Sequence, residues 1–187
     1  MKLKFYFASI FLLFVAIANC QEALPYSTDF AEDDGEWTQY RTGTTPDDTY
    51  TWQISFGELQ HFYPVGGTEL TNDWMVSPEL DLANGGAISS LDYKFSGFGF
   101  PFDLDTIAVY LITGSQNPSE ATSAELLHLF TNDLYIPDNT WYTLSDFSIP
   151  PTDGPAYLAF RYQTVVNWLD AAFDNLEIVG MPLNTTA

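Results

Sequence analysis

Apolar residues recur along this chain mostly at every second position, in short runs punctuated by Gly, Pro, Asn and Asp. That alternation is the pattern of strands with one buried face. The clearest interior strand is 105–113, built on Thr106-Ile-Ala-Val-Tyr-Leu-Ile112. Residues 24–30 read as a first strand, and 50–55 with 59–63 as a hairpin about Phe56-Gly57. In 71–82, Trp74, Val76, Leu80 and Leu82 share one parity, which predicts that all four face one core. Pro78 forbids a central ladder position, so this stretch breaks into two short strands or runs along an edge. Residues 88–95 alternate with a phase slip, which predicts a bulge near Ser89. Further strands are expected at 126–130, 141–147, 157–163 and 171–179. The stretch 117–124 predicts a helical turn after an Asn or Ser cap. Residues 31–36 form an acidic turn and 41–49 a polar one. Roughly ten strands with turn signals every 8–12 residues and no long helix predict an all-β, two-sheet jelly-roll β-sandwich.

The first 20 residues break the alternation. Met1-Lys-Leu-Lys4 is followed by an almost wholly apolar run to Ala18, the form of a secretory signal and too short for a membrane span of about 20 residues. Cleavage after Cys20 would place Ala18 and Cys20 at the small-residue positions; cleavage after Ala18 and lipidation of Cys20 are the alternatives. The expected organisation is therefore a signal over 1–20, one domain over 21–182 and a short flexible tail over 183–187. Cys20 is the one cysteine, so the exported domain relies on its core or on a cation in place of disulfides. About 165 residues suffice for one such core.

Charge narrows the partners. The chain carries 25 acidic and five basic residues, a formal net charge of -20. Past the leader the bases are Arg41, Lys94 and Arg161. Such a balance disfavours nucleic acid and anionic membrane. It attracts cations and keeps a chain soluble in salt, so a saline habitat explains it as well as a cation site does.

Several motifs, taken in order, resemble one family. They are Tyr26-Ser-Thr-Asp-Phe30 with Gly35-Glu-Trp37, Asn72-Asp-Trp-Met-Val-Ser-Pro78 with Leu80-Asp-Leu82, Leu91-Asp-Tyr-Lys-Phe95, Trp141 opening a strand, Tyr157-Leu-Ala-Phe-Arg-Tyr162, and Phe173-Asp-Asn-Leu-Glu-Ile178. Together they resemble the cleaved-adhesin, or "choice-of-anchor J", domains of Bacteroidetes surface proteins, which include the haemagglutinin/adhesin modules of gingipains. In architecture these are similar to MAM domains and jelly-roll carbohydrate-binding modules. The resemblance implies a secreted or cell-surface module, possessing no chemistry of its own, that binds calcium and serves adhesion or ligand binding. It implies a calcium site joining an acid near the first strand, Asp29 or Glu32, to Asp174 in the last. The family's Phe-Glu is Phe30-Ala31 here, which departs from the pattern at the first ligand. Calcium takes six to eight oxygens. Asp29, Glu32, Asp34, Asp73 and Asp174 supply such a set if the first and last strands are neighbours.

A glycan site needs exposed rings beside polar groups. The candidates are Phe98 and Phe100 (with Phe102) in one loop, Trp168 with Asn167 in another, and Tyr50 with Trp52 in a third. The expected partner is a glycan or a host or cell-surface protein. His61 and His128 are isolated, and no nucleophile elbow, zinc helix or phosphate loop is present. Carboxylate pairs such as Asp103/Asp105 or Asp170/Asp174 leave a small glycoside hydrolase as the alternative. A purely structural surface protein is the third reading.

Overall fold

The computed structural model describes residues 21–33, 35–44, 50–63, 70–97, 107–131, 134–164 and 168–181. The leader, with Cys20, lies outside the described residues. Among the described residues there are twelve strands and no α-helix. In order they are β1 (Tyr26–Thr28), β2 (Thr38–Arg41), β3 (Trp52–Ser55), β4 (Glu58–His61), β5 (Thr71–Val76), β6 (Gly86–Gly97), β7 (Ile107–Thr113), β8 (Ser123–Phe130), β9 (Tyr142–Leu144), β10 (Phe147–Ile149), β11 (Ala156–Thr164) and β12 (Leu169–Gly180). They form two antiparallel sheets, as the alternation predicts. One has seven strands, in the order β10-β6-β12-β4-β3 with β1 added to β12 and β9 to β6; the other runs β2-β5-β11-β7-β8.

The core lies between the sheets. Phe160 of β11 stacks on Phe173 of β12 at 4.5 Å between ring centroids, and Trp52, Phe95 and Phe130 close around Phe173. Trp37 donates its indole N–H to Tyr26 Oη at 3.0 Å, which gives a buried ring its polar partner.

Three local readings change. Trp74 and Val76 are buried, but on the outer face of the five-stranded sheet, in a small cluster with Ile112 and Ala159. Met75, Leu80 and Leu82 enter the main core. The parity count fails because the strand stops at Val76, and 77–82 follow a path of their own; Pro78 breaks the strand, as its missing N–H requires. Before that break β5 is a central strand, between β2 and β11. Second, 117–124 gives an Asn-capped turn, in which Ser119 N–H donates to Asn117 Oδ1 at 3.1 Å, and β8 starts at Ser123. Third, 141–147 divides into β9 and β10, and Asp146 between them has a φ of 65°.

The slip near Ser89 is real. The β6–β12 register passes from Glu177↔Ser90 to Ile178↔Ile88, so Ser89 is the extra residue. A compensating irregularity lies between Asp174 and Glu177, where Asn175 has a φ of 47°. One edge of β12 runs along β6. The other is shared, with β4 pairing Ala171–Phe173 and β1 pairing Leu176–Ile178. The first and last strands are thus neighbours.

Candidate functional site

The outer face of the seven-stranded sheet is set by parity. Leu59 and His61, Tyr93 and Phe95, Ala171 and Phe173 turn into the core. Glu58 and Gln60, Asp92, Lys94 and Ser96, Asp170, Ala172 and Asp174 turn outward. Two regions of this face matter.

The first is acidic. Asp29 follows β1 and Asp174 precedes the β12 irregularity, and pairing of Thr28 with Leu176 brings the two acids together. Beside them a concavity of about 600 Å³ is lined by Ser27, Thr28, Asp29, Ser90, Asn175, Leu176 and Glu177. Burial, then the negative charges of Asp92, Asp29 and Glu58, push the Asp174 carboxyl above its ordinary range, against the pull of the Asn175 N–H. Asp92 accepts from Thr143 Oγ1 at 2.6 Å and Asn175 Nδ2 at 2.8 Å. The donor types suit a hard cation. Among the described residues, however, no three acidic, His or Cys side chains close into a coordination group.

The five-acid set drawn from sequence is not assembled. Asp34 lies outside the described residues, and Glu32 sits exposed in the turn after Phe30. Asp73 belongs to the other sheet. It is fully buried, its Oδ2 lies 3.0 Å from His61 Nε2, and its carbonyl accepts from Trp52 Nε1 at 3.2 Å. Its place beside a tryptophan suggested an outward acid. Instead β5 turns alternate residues, Thr71, Asp73 and Met75, toward the facing sheet.

The second region is polar and aromatic. In the register Gln60, Ala172 and Lys94 form one row across β4, β12 and β6. The small Ala172 leaves a depression of about 140 Å³, bounded by Glu58, Gln60, Phe62, Lys94, Ser96, Asn139 and Asp170. Lys94 Nζ is held by both Glu58 oxygens at 3.0 Å and stands 4.4 Å from the Trp141 ring centroid. Asp170 accepts from the Tyr63 N–H at 2.8 Å, and burial raises its carboxyl above the ordinary range.

Tyr63 in turn stacks on Trp168, with centroids 6.0 Å apart and planes within 4°. Trp168 is 44% exposed and Trp141 38%, enough to offer ring surface to a ligand. Tyr50, half-buried, lies two residues before the start of β3; extending the β3–β4 register sets it opposite Tyr63. Phe98, Phe100 and Asn167 lie outside the described residues, as do Phe102, Asp103 and Asp105. In the sequence, Lys94, Gln60 and Trp141 read only as strand residues. Their signal was the outward parity of those strands.

The two histidines are structural in setting. His61 is fully buried and stacks on Tyr162 at 3.8 Å, and burial outweighs the Asp73 partner to lower its pKa. His128 bonds Tyr135 Oη through Nε2, and burial lowers its pKa too. Asp170 and Asp174 are four residues apart on one strand, about 13 Å at strand rise. Glycosidase carboxyl pairs sit about 5–9.5 Å apart, so this pair does not fit that chemistry.

No family model matches the chain, and no curated protein does. Solved structures do. The K1 cleaved adhesin domain of Lys-gingipain from Porphyromonas gingivalis W83 matches at a TM-score of 0.56 and 19% identity, over 84% of this chain and 98% of that one. The K3 cleaved adhesin domain of the same protein matches at 0.56 and 20%, over 82% and 97%. The C-terminal family 22 carbohydrate-binding module of Clostridium thermocellum Xyn10B matches at 0.47 and 13%, over 83% and 92%. The chain therefore has a cleaved-adhesin-like fold.

Proposed function

We propose that this chain is a non-catalytic binding module, exported to the cell surface or beyond it, that recognises a glycan on the outer face of its seven-stranded sheet. One observation carries the reading. A depression is ringed by an ammonium, amides and carboxylates; the partly exposed Trp141 lies under its Lys94, and the partly exposed Trp168 stacks on Tyr63, whose N–H donates to Asp170 in its wall. Sugars need that mixture: apolar ring faces for their C–H surfaces, with donors and acceptors to orient their hydroxyls. The decisive experiment is a glycan array with the wild type, Trp141→Ala and Trp168→Ala. Binding by the wild type that either variant weakens at least tenfold supports the reading. No glycan bound, or equal binding by all three, overturns it. A protein ligand on the cell surface would then be the next partner to test.

A structural calcium ion belongs to the same proposal. Asp29 and Asp174 would hold it, with Asp92 and Asn175 beside them, and the ion would supply charge neutralisation where β1 meets β12. Support comes from the apposition of these acids and the raised Asp174 pKa. A ligand bound only to the folded state adds RT ln(1 + [L]/Kd) to stability. Calcium is therefore expected to raise Tm and EDTA to lower it, with Asp174→Ala abolishing the difference. A Tm indifferent to both reagents would end the calcium reading. Intact mass of the exported protein distinguishes a lipidated Cys20 from a cleaved leader.

A further inference from the structure

We propose that the glycan recognised on the outer face carries a free amine, and that the depression beside Ala172 receives its ammonium next to Asp170. The inference rests on the outer-face reading and names the sugar class which that site selects: an amino sugar that is not acylated.

The depression measures about 140 Å³. Sites that enclose a whole small molecule run from roughly 300 to 1,000 Å³. This one therefore holds a single substituent of a sugar, while the ring lies across the surface above it. The groups around it that remain uncommitted decide what the substituent is. Lys94 bonds both oxygens of Glu58 at 3.0 Å and stands over the Trp141 ring, so its donors are in use and its charge is neutralised. Gln60 donates through Nε2 to the Ser55 carbonyl at 2.9 Å, which leaves its oxygen for the depression. Asp170 accepts the Tyr63 N–H through Oδ1, and its Oδ2 has no partner among the described residues. Asp170 is partly exposed, and Oδ2 is not sealed from solvent, so a ligand can reach it.

The donors are thus spent and the acceptors open. Beyond the neutral Glu58–Lys94 pair, Asp170 contributes a negative charge with no cation against it, and burial already disfavours that charge. An anionic substituent is repelled by Asp170 and by a chain of net charge -20. An acetamide brings a carbonyl oxygen toward acceptors. A hydroxyl can bond Oδ2 but leaves the charge uncompensated. A bare metal ion lacks its ligand set, since no three acidic, His or Cys side chains close together among the described residues. An ammonium offers three donors and the missing charge, and bonds to ionised partners are about twice as strong as neutral ones. Trp168, joined to Asp170 through Tyr63, supplies flat ring surface that a pyranose covers and a lysine side chain does not need.

The test is calorimetric titration of the whole chain in EDTA, at about pH 6.5, where an amine is protonated. Three β-1,4-linked tetramers serve as probes, of glucosamine, N-acetylglucosamine and glucose, which differ only in an amine, an acetamide or a hydroxyl. The glucosamine tetramer should bind at least tenfold more tightly than the other two. Asp170→Asn keeps the oxygen that accepts from Tyr63, and should erase that preference. Glu125→Gln removes the same charge from an exposed position on β8 of the other sheet, and should preserve it. Equal binding of all three tetramers, weakened throughout by Trp168→Ala, overturns the ammonium and leaves the outer-face site standing. A preference that falls equally in Asp170→Asn and Glu125→Gln overturns it as well, since the attraction then belongs to the acidic chain as a whole. Binding of Nα-acetyl-lysine methylamide as tight as that of the tetramer would assign the depression to a protein side chain and end the sugar assignment. Binding of none of the three ends the inference, and the wider glycan array then decides whether the outer-face reading survives it.

Discussion

Carboxylates occupy two very different settings in this molecule. Between the sheets, Asp73 is enclosed against His61, inside a box made by Trp52 and Tyr162. On the outer face, Asp29, Asp92 and Asp174 stand near one another, and the local cation, Lys94, is already held by Glu58. The first acid is satisfied by the fold itself. The second group carries mutual repulsion that folding does not remove. Residue type alone is a poor guide to a ligand site; what distinguishes the two settings is whether the surrounding chain already supplies the counter-group.

The strongest way to break this contrast is to empty the interior pair. Asp73→Ala leaves a buried, neutral imidazole without its carboxylate partner and facing a void; an unsatisfied buried polar group costs about 1–3 kcal/mol, and the cavity adds to it. Urea unfolding should show that loss; a change below about 1 kcal/mol would mean that Asp73 is no better satisfied than the surface acids.

Next comes Trp74, whose burial on the outer face of the other sheet was unexpected. Its ring packs against Tyr110 at 5.2 Å, lies 5.1 Å from the Arg161 guanidinium and donates to Thr42 Oγ1 at 3.3 Å. Trp74→Ala should cost about 3 kcal/mol, the low end for a large aromatic, because a satellite cluster collapses more easily than a central core. A loss equal to that of Phe173→Ala would place the two clusters on the same footing.

Acid sharpens the contrast further. The folded pKa of His61 lies below its unfolded value of about 6.5 because burial disfavours the imidazolium. The native state then binds fewer protons than the unfolded chain below pH 6.5. Stability from this group is complete above about 6.5 and falls as pH drops toward the folded value, by at most about 1.4 kcal/mol per pH unit. His128 is lowered by burial and acts in the same direction, so the measurement is a difference: His61→Gln keeps a donor for Asp73 and cannot titrate. Its stability profile below pH 6.5 should be flatter than wild type; parallel profiles would show that His61 takes its proton without strain.

Much of the architecture was readable in advance, for a physical reason. Period-2 alternation in 88–95, 105–113, 157–163 and 171–179 marks strands with one face in a core, and those four became β6, β7, β11 and β12. Even the extra residue at Ser89 showed as a slip in that period. The meeting of Asp29 with Asp174 was also anticipated, through resemblance more than periodicity. What stayed hidden was the side-to-side register. Gln60, Ala172 and Lys94 are far apart in sequence and become one row only through the pairing of β4, β12 and β6. β2 was hidden as well, because Thr38-Gln-Tyr-Arg41 is an edge strand whose inward positions are polar. Asp73 was misplaced for a related reason: alternation marks a face, and a buried carboxylate with a distant histidine partner looks the same in sequence as an exposed one.

The smallest expected effect bears most directly on the cation. Asp174 has a folded pKa raised above the unfolded value, by burial first and then by Asp92, Asp29 and Glu58. A raised carboxyl favours folding below its unfolded pKa, and that contribution is lost as pH rises through the folded one. At neutral pH the ionised group is therefore a net cost, limited to a few tenths of a kcal/mol because solvent screens much of it. Asp174→Asn should accordingly be slightly more stable than wild type in EDTA, with the gain shrinking as pH is lowered into the carboxylate range. In calcium the order should reverse, since the wild type gains the binding term and the amide is a poorer ligand. A reversal ties the repulsion on the outer face to the cation that would relieve it. If Asp174→Asn is the less stable protein in EDTA as well as in calcium, the carboxylate is already satisfied by the Asn175 N–H that it accepts at 2.7 Å, and the outer-face acids resemble Asp73 after all.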